Sequence, residues 1–280
     1  MMAYEYLGTG ELDYSPCRYG NSKLMFRGPK RPITGHYNVA IGGSETFGKY
    51  VEDPFPQLLE NLSGQRVINL GCMYASADAF ANDNTILEIC KAAQVTIIQL
   101  SGAQNMSNRF YRVHPRRNDR FLGGTDLLRS IYPELDFSGI HFTGHLISML
   151  SKNSTKRFEL VRDNLQAEWV ARMQALLGII GGKIVLLWLA DHPPSDEINA
   201  SRADMEPMFL NRQMIDQLSG YADTVEVIIT QDEIDAGHDR MIFSQLEQPA
   251  SRQMLGPIAH QEAARQLYPV LAEYCGADPA

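Results

Sequence analysis

Five short apolar runs, Tyr37 to Gly42, Arg66 to Leu70, Val95 to Leu100, Lys183 to Ala190 and Thr224 to Ile229, constrain the fold of this chain more than any other feature. Each is rich in Val, Ile and Leu without strict alternation, so the strand it predicts must be covered on both faces. Segments of helical period separate them: Phe55 to Leu62, Ala77 to Ala93, Phe158 to Ile180 and Glu206 to Tyr221. The third sets Leu160, Val161, Leu165, Trp169, Met173, Leu176 and Leu177 on one stripe and stops at Gly181-Gly182. Strands alternating with helices predict an α/β fold, a three-layer doubly wound sandwich around a mainly parallel five-stranded sheet, flavodoxin-like in plan.

With 280 residues, 44% of them hydrophobic, the chain can bury one large core, which predicts a single domain over residues 37–280. Residues 1–36 carry turn residues and aromatics without a period and predict an extension packed on that domain. Residues 106–156 exceed an ordinary connection and predict an insertion, with helices around Thr125 to Ile131 and His145 to Leu150. A net charge of −8 lacks the basic field that nucleic acid or an anionic membrane surface selects, so neither is an expected partner. Cys17, Cys72, Cys90 and Cys275 are scattered without a CxxC, which predicts reduced thiols rather than a zinc site or a disulfide framework. His141 and His145 stand four apart but lack a third ligand at a defined spacing, and Gly144 weakens a helix between them; no metal and no organic cofactor are expected. No stretch approaches the ~20 apolar residues of a membrane span, and Met1 to Gly35 lacks the layout of a signal peptide. The expectation is a cytoplasmic protein, with homo-oligomerisation left open.

Parallel sheets bind ligands beyond the carboxyl ends of their strands, so the residues following each run matter most. After the first run comes Gly42-Gly43-Ser44, where glycines permit a sharp turn and leave a small hydroxyl at the sheet rim. A nucleophile fits that position; so does a serine that only caps the next helix. After the second comes Asn69-Leu70-Gly71-Cys72, after the third Ser101-Gly102-Ala103-Gln104-Asn105, after the fourth Asp191-His192-Pro193 and after the fifth Gln231-Asp232. A serine nucleophile needs a base and at least two oxyanion donors, which a glycine N–H and a carboxamide can provide.

On these residues the chain resembles the SGNH (GDSL-type) hydrolase superfamily, and also members of an uncharacterised domain family. The superfamily's first block reads Gly-Asp-Ser-x-Thr/Ser-x-Gly, and Gly42-Gly43-Ser44-Glu45-Thr46-Phe47-Gly48 matches it apart from Gly43 in the Asp position. The resemblance implies Ser44 as nucleophile and Gly71 as the second-block glycine. In the third block, Gly-x-Asn-Asp, it implies Gly102-Ala103-Gln104-Asn105, with Gln104 or Asn105 at the oxyanion. It also implies a histidine base just before a final helix, three residues after an Asp. His260 has that placement, ahead of Gln261 to Tyr268, but Pro257 stands in the Asp position; His238, with Asp235 at the right spacing, is the alternative base. A backbone carbonyl or a distant carboxylate, Asp191 among them, would then have to orient His260. The implied activity is a serine esterase acting through an acyl-enzyme on a small-molecule or carbohydrate ester. Two alternatives stand beside it: an acyltransferase to a carbohydrate acceptor, and a noncatalytic domain that binds an anionic glycan or polymer.

The window Asn108 to Arg120 holds five arginines, among them Arg109, Arg112, Arg116 and Arg117. Guanidinium groups pair with carboxylate, phosphate or sulfate, so this patch predicts an anionic substrate; a solvated loop or an oligomer contact explains it as well.

Overall fold

A computed structural model describes residues 12–196 and 205–276 of the protein; residues 1–11 of the N-terminal extension lie outside them. The chain runs β1 (Asn38–Gly42), α1 (Ser44–Phe47), α2 (Phe55–Ser63), β2 (Val67–Gly71), α3 (Ala77–Ala81), α4 (Asn84–Lys91) and β3 (Val95–Gln99). A second stretch comprises β4 (Tyr111–Val113), β5 (Phe121–Gly124), α5 (Asp126–Ile131), α6 (Thr143–Asn153) and α7 (Thr155–Ile180). It closes with β6 (Lys183–Ala190), α8 (Arg212–Asp216), β7 (Asp223–Ile228), α9 (Gln231–His238), α10 (Gln248–Ser251) and α11 (Pro257–Cys275).

The five apolar runs form one sheet in the order β2-β1-β3-β6-β7, with every neighbouring pair parallel. This is the doubly wound α/β plan that the unalternated runs predict. Strand order reverses at β1, between β2 and β3, so the switch-point crevice opens beyond Gly42 and Gln99. One face of the sheet is covered by α3, α4 and α7 through a cluster that includes Ile41, Phe80, Ile98, Trp169, Met173 and Trp188. The other is covered by α2 and α11 around Ala40, Phe55, Leu59, Leu187, Val227 and Leu267. Each fully buried large side chain in these layers stabilises the fold by on the order of 2–3 kcal/mol.

Residues 12–36 add Tyr19, Leu24 and Phe26 to the first cluster. From the same segment the Arg27 guanidinium reaches the end of α1, where Nη1 donates to Gly48 O and Val51 O, both at 2.7 Å. It thereby ties the turn after α1 to the extension, beside the bond that Gly48 O accepts from Val51 N at 3.2 Å.

Several boundaries differ from expectation for identifiable reasons. The expected helix Ala77 to Ala93 is two helices, because Asp83 Oδ1 accepts from Ile86 N at 3.2 Å and restarts the chain as an N-cap. Glu206 to Tyr221 shrinks to α8, since Pro207 lacks an N–H and Phe209 adopts φ +68°. Leu160, placed on the core stripe of α7, is exposed; Phe158 and Ile180 complete that face instead. The 106–156 stretch also contains an antiparallel hairpin, β4 with β5, whose strands of three and four residues leave no periodic trace. Among the described residues no helix is long and apolar enough to cross a membrane.

Candidate functional site at the β1–β3 switch point

Ser44 is the first residue of α1, a single turn lying across the ends of β1 and β2. Two glycines allow this approach: a Cβ on Gly42 would lie 2.2 Å from Thr46 Oγ1, and one on Gly71 2.2 Å from Phe47 N. Two carboxamides then pin the turn. Gln99 Oε1 accepts from Thr46 N at 3.1 Å and from Thr46 Oγ1 at 2.7 Å, while Asn69 Nδ2 donates to Thr46 O at 2.8 Å. Ser44 is therefore half-buried on a fixed support at the crevice.

The donor on this serine is Tyr74, whose backbone N–H points to Ser44 Oγ at 3.1 Å. Tyr74 has φ +61°, a left-handed conformation that costs a non-glycine residue about 1–2 kcal/mol. Its surroundings hold it there. Asn118 N donates to Tyr74 O at 2.9 Å, and Asn118 Oδ1 accepts from Ser76 N at 2.8 Å and from Ser76 Oγ at 2.9 Å. This corrects the expectation for Gly71, which ends β2 and spends its N–H on Asn69 Oδ1 at 2.8 Å. The glycine serves close packing; the amide that meets the serine lies three residues further on. Sequence reasoning missed Tyr74 because nothing in a tyrosine announces a left-handed backbone.

The two carboxamides separate. Gln104 is buried, its Nε2 donates to Glu206 Oε1 at 2.6 Å, and its Oε1 has no partner among the described residues. That corrects its expected place at the oxyanion. Asn105 lies on the Tyr74 side: its carbonyl accepts from Ser76 Oγ, and its Oδ1 accepts from Thr143 Oγ1 at 2.6 Å. Its amide NH2 has no partner among the described residues.

Neither expected base is bonded to Ser44. His260 lies within α11 rather than ahead of it and is fully buried, with Nδ1 accepting from Phe55 N at 3.1 Å, so its proton sits on Nε2. Nε2 faces Glu45 Oε2 at 3.7 Å, too long for a hydrogen bond, and both atoms are buried without a partner. His260 thus caps the start of α2 instead of serving the serine. His238 ends α9, a helix begun by a Thr230–Glu233 capping box, and its Nε2 is 3.0 Å from Ser251 Oγ; Asp235 Oδ1 accepts from Gln231 Nε2 at 2.8 Å instead of orienting it. The spacing Asp-x-x-His is that of a helix surface here. A third histidine, His192, has Nδ1 2.6 Å from Asp191 Oδ1 beyond β6, with β3 between that strand and β1.

Of the arginines, Arg117 lies at the site, its guanidinium 4.5 Å from the centroid of the Tyr74 ring. Lys49 Nζ donates to the Tyr74 hydroxyl at 3.1 Å. Arg116 is exposed near the Cys72 thiol, which burial pushes up to about 11. Arg112 turns its guanidinium back onto Asn108 O, and Arg109 is exposed beside Phe110, so neither joins the serine. A broad concavity at the amino ends of the strands is lined by Arg31, His36, Glu60 and Arg66; Arg31 is paired with Glu60 at 2.6 Å, and Arg66 holds the Pro32 and Thr34 carbonyls. The described residues contain no group of three or more His, Cys, Asp or Glu arranged to hold a metal.

Residues 2–275 match the model of a family described as Domain of unknown function (DUF6473). The chain belongs to this family. No curated protein matches the DUF6473 chain. Among solved structures it is similar to the lipase Lip_vut3 from a goat rumen metagenome, with 14% identity over 88% of this chain and 100% of that one, at a TM-score of 0.45. It is also similar to a carbohydrate acetylesterase family member from Sinorhizobium meliloti, with 12% identity over 86% of this chain and 99% of that one, at a TM-score of 0.40. A GDSL-like lipase from Bacteroides ovatus shares 11% identity over 88% of this chain and 55% of that one, at a TM-score of 0.41. At such scores the likeness carries no argument, and the fold of the DUF6473 chain stands on its strand order.

The buried Glu45–His260 pair gives this DUF6473 chain a pH signature. Burial pushes the Glu45 carboxyl up to about 8, against a bond from Leu255 N that pulls the other way, and drives His260 down to about 3, helped by Arg27. An unfolded Glu45 ionises above 4.5 while the folded one stays protonated, so its contribution to stability falls as pH rises from 4.5 towards 8. An unfolded His260 takes a proton below 6.5 while the folded one does not, so its contribution falls as pH drops from 6.5 towards 3. Between 4.5 and 6.5 the two slopes cancel, leaving a loss of about 2 kcal/mol on each flank. Urea unfolding across pH should show that dome. Glu45→Gln should flatten the alkaline flank, and His260→Asn, whose Oδ1 can still accept from Phe55 N, the acid flank. Flanks unchanged in both variants would contradict this account.

Proposed function

We propose that the crevice at the β1–β3 switch point binds an ester and that Ser44 attacks its carbonyl carbon. The observation that supports this best is the Tyr74 N–H bond to Ser44 Oγ, a backbone donor locked beside a serine at a strand end. When Ser44 Oγ bonds to the carbonyl carbon, negative charge gathers on the former carbonyl oxygen beside it. In this reading the Tyr74 N–H and the unspent Asn105 amide hold that charge, and a fixed donor costs no reorganisation as the charge develops. The C–O bond to the alcohol breaks, the alkoxide leaves with the proton that Ser44 gives up, an acyl-serine forms, and water or an acceptor hydroxyl resolves it. A sugar acceptor would make the same chemistry an acyl transfer.

Attack also requires that Ser44 lose its proton, and no described side chain accepts it in the unliganded chain. Catalytic hydrogen bonds commonly close only around substrate. The missing acceptor equally favours a second reading, a noncatalytic domain that uses the same crevice to bind an anionic ligand.

The discriminating experiment is stopped-flow mixing with excess 4-nitrophenyl acetate. An acyl-serine predicts a burst of nitrophenolate approaching one equivalent, followed by slower turnover. Release indistinguishable from the buffer blank would discard the hydrolase and leave the binding domain.

A further inference from the structure

We infer that Arg117 is an anion clamp for the Ser44 crevice, so that the ester taken there carries a carboxylate or phosphate close to its scissile carbonyl. The inference rests on Ser44 as the centre of the site and adds the class of substrate.

Tyr74 joins the two halves of the argument. Its N–H meets Ser44 Oγ, and its ring carries the Arg117 guanidinium on its face at 4.5 Å. The cation is therefore one side chain away from the serine hydroxyl. Its loop is clamped in place: His114 Nδ1 accepts from Arg116 N at 3.3 Å and from Arg117 N at 3.2 Å, and Asn118 Nδ2 donates to His114 O at 3.0 Å. Asn118 N then ties the loop to Tyr74 O.

Arg117 also keeps its donors. Other arginines of the chain spend theirs: Arg27 on a row of carbonyls, Arg157 on Ile131 O and Glu134, Arg172 on Asp78, Ser107 O and Glu168. Arg117 makes one long contact, Nη2 to Asp119 Oδ2 at 3.4 Å, and its Nε is buried with no partner. Burial raises the Asp119 carboxyl against the pull of Arg117, and its Oδ1 is likewise buried without a partner among the described residues. A guanidinium fork with most of its five donors free, held on an aromatic face, is suited to an oxyanion group.

The field has the same sign. Arg116 and Arg120 extend from the same loop, and Lys49 reaches the far end of the Tyr74 side chain, with Glu247 3.8 Å from its Nζ. Three arginines, Arg116, Arg117 and Arg120, against one aspartate in residues 114–120 of a chain of net charge −8 gather positive potential on this loop.

The test measures binding to Ser44→Ala protein, in which turnover by the serine cannot intervene. Calorimetric titrations with monomethyl succinate and with methyl phosphate cover the two sources of negative charge, and dimethyl succinate is the neutral control. At least one anion should bind more tightly than the control, the tighter of the two identifying the group. Arg117→Ala or Arg117→Gln should weaken that binding about tenfold or more, Arg117→Lys by less, and Arg109→Ala, on the other side of β4, should leave it unchanged. Anions that bind no better than dimethyl succinate, an unchanged affinity in both Arg117→Ala and Arg117→Gln, or an equal loss in Arg109→Ala would overturn the clamp. Anion binding through Arg117 without an ester burst would remove the hydrolase and keep the clamp. A burst without anion preference would do the reverse.

Discussion

Ser44→Ala should lower ester turnover by roughly a thousandfold or more while leaving thermal unfolding nearly unchanged. The loss is large because the hydroxyl is the atom that forms the acyl bond, and the remaining crevice supplies only binding and donors. The fold should be indifferent because Ser44 Oγ accepts one bond, from Tyr74 N, at a half-buried position open to water, while Gln99 and Asn69 rather than Ser44 fix the turn. Initial rates on 4-nitrophenyl acetate beside a melting curve separate the two effects. Equal rates for Ser44→Ala and the parent would transfer the chemistry elsewhere.

Gly71→Ala should be the most damaging single methyl in the crevice. Its Cβ would sit 2.2 Å from Phe47 N and 2.5 Å from Thr46 C, backbone atoms that cannot turn aside. To admit it, α1 must lift from β2, breaking the Asn69–Thr46 bond and unseating Phe47, which is 1% exposed. A cost of roughly 3 kcal/mol or more follows from overpacking against rigid structure. The comparison is Gly144→Ala in α6, where a Cβ meets nothing within 4 Å and helix propensity should make the change neutral or stabilising by up to about 1 kcal/mol. Urea midpoints of the two variants measure the difference directly. A Gly71→Ala protein as stable as its parent would mean that α1 does not rest on β2.

The sheet was legible in the chain because strands buried on both faces must be apolar throughout, as Ile184 to Ala190 are, and no other element of that length reads so. The serine turn was legible for a related reason: Gly42 and Gly71 face backbone and side chain too closely for any Cβ, and that demand writes itself into residue type. What decides the site beyond Ser44 leaves weaker marks. The Tyr74 donor is a main-chain group in a conformation that its side chain does not favour, and only the Asn118 and Ser76 contacts reveal it. Motif spacing leaves Gln104 and Asn105 both open at the oxyanion, and only the packing separates them: Gln104 bonds to Glu206, while the Asn105 carbonyl meets Ser76. His260 had the chain position of a base, but the same position in space lies under α2, where its ring nitrogen meets the Phe55 amide. Position along a chain fixes which element a residue joins; the neighbouring layer decides which way that residue is used.

The central claim is that Ser44 is a nucleophile, and covalent capture tests it most directly. Parent protein treated with a fluorophosphonate and digested for mass spectrometry should carry a single phosphonyl group on the peptide containing Ser44, abolished in Ser44→Ala and unaffected in His238→Ala. Unmodified Ser44 after exhaustive treatment of folded protein, or the same label retained in Ser44→Ala, would contradict it.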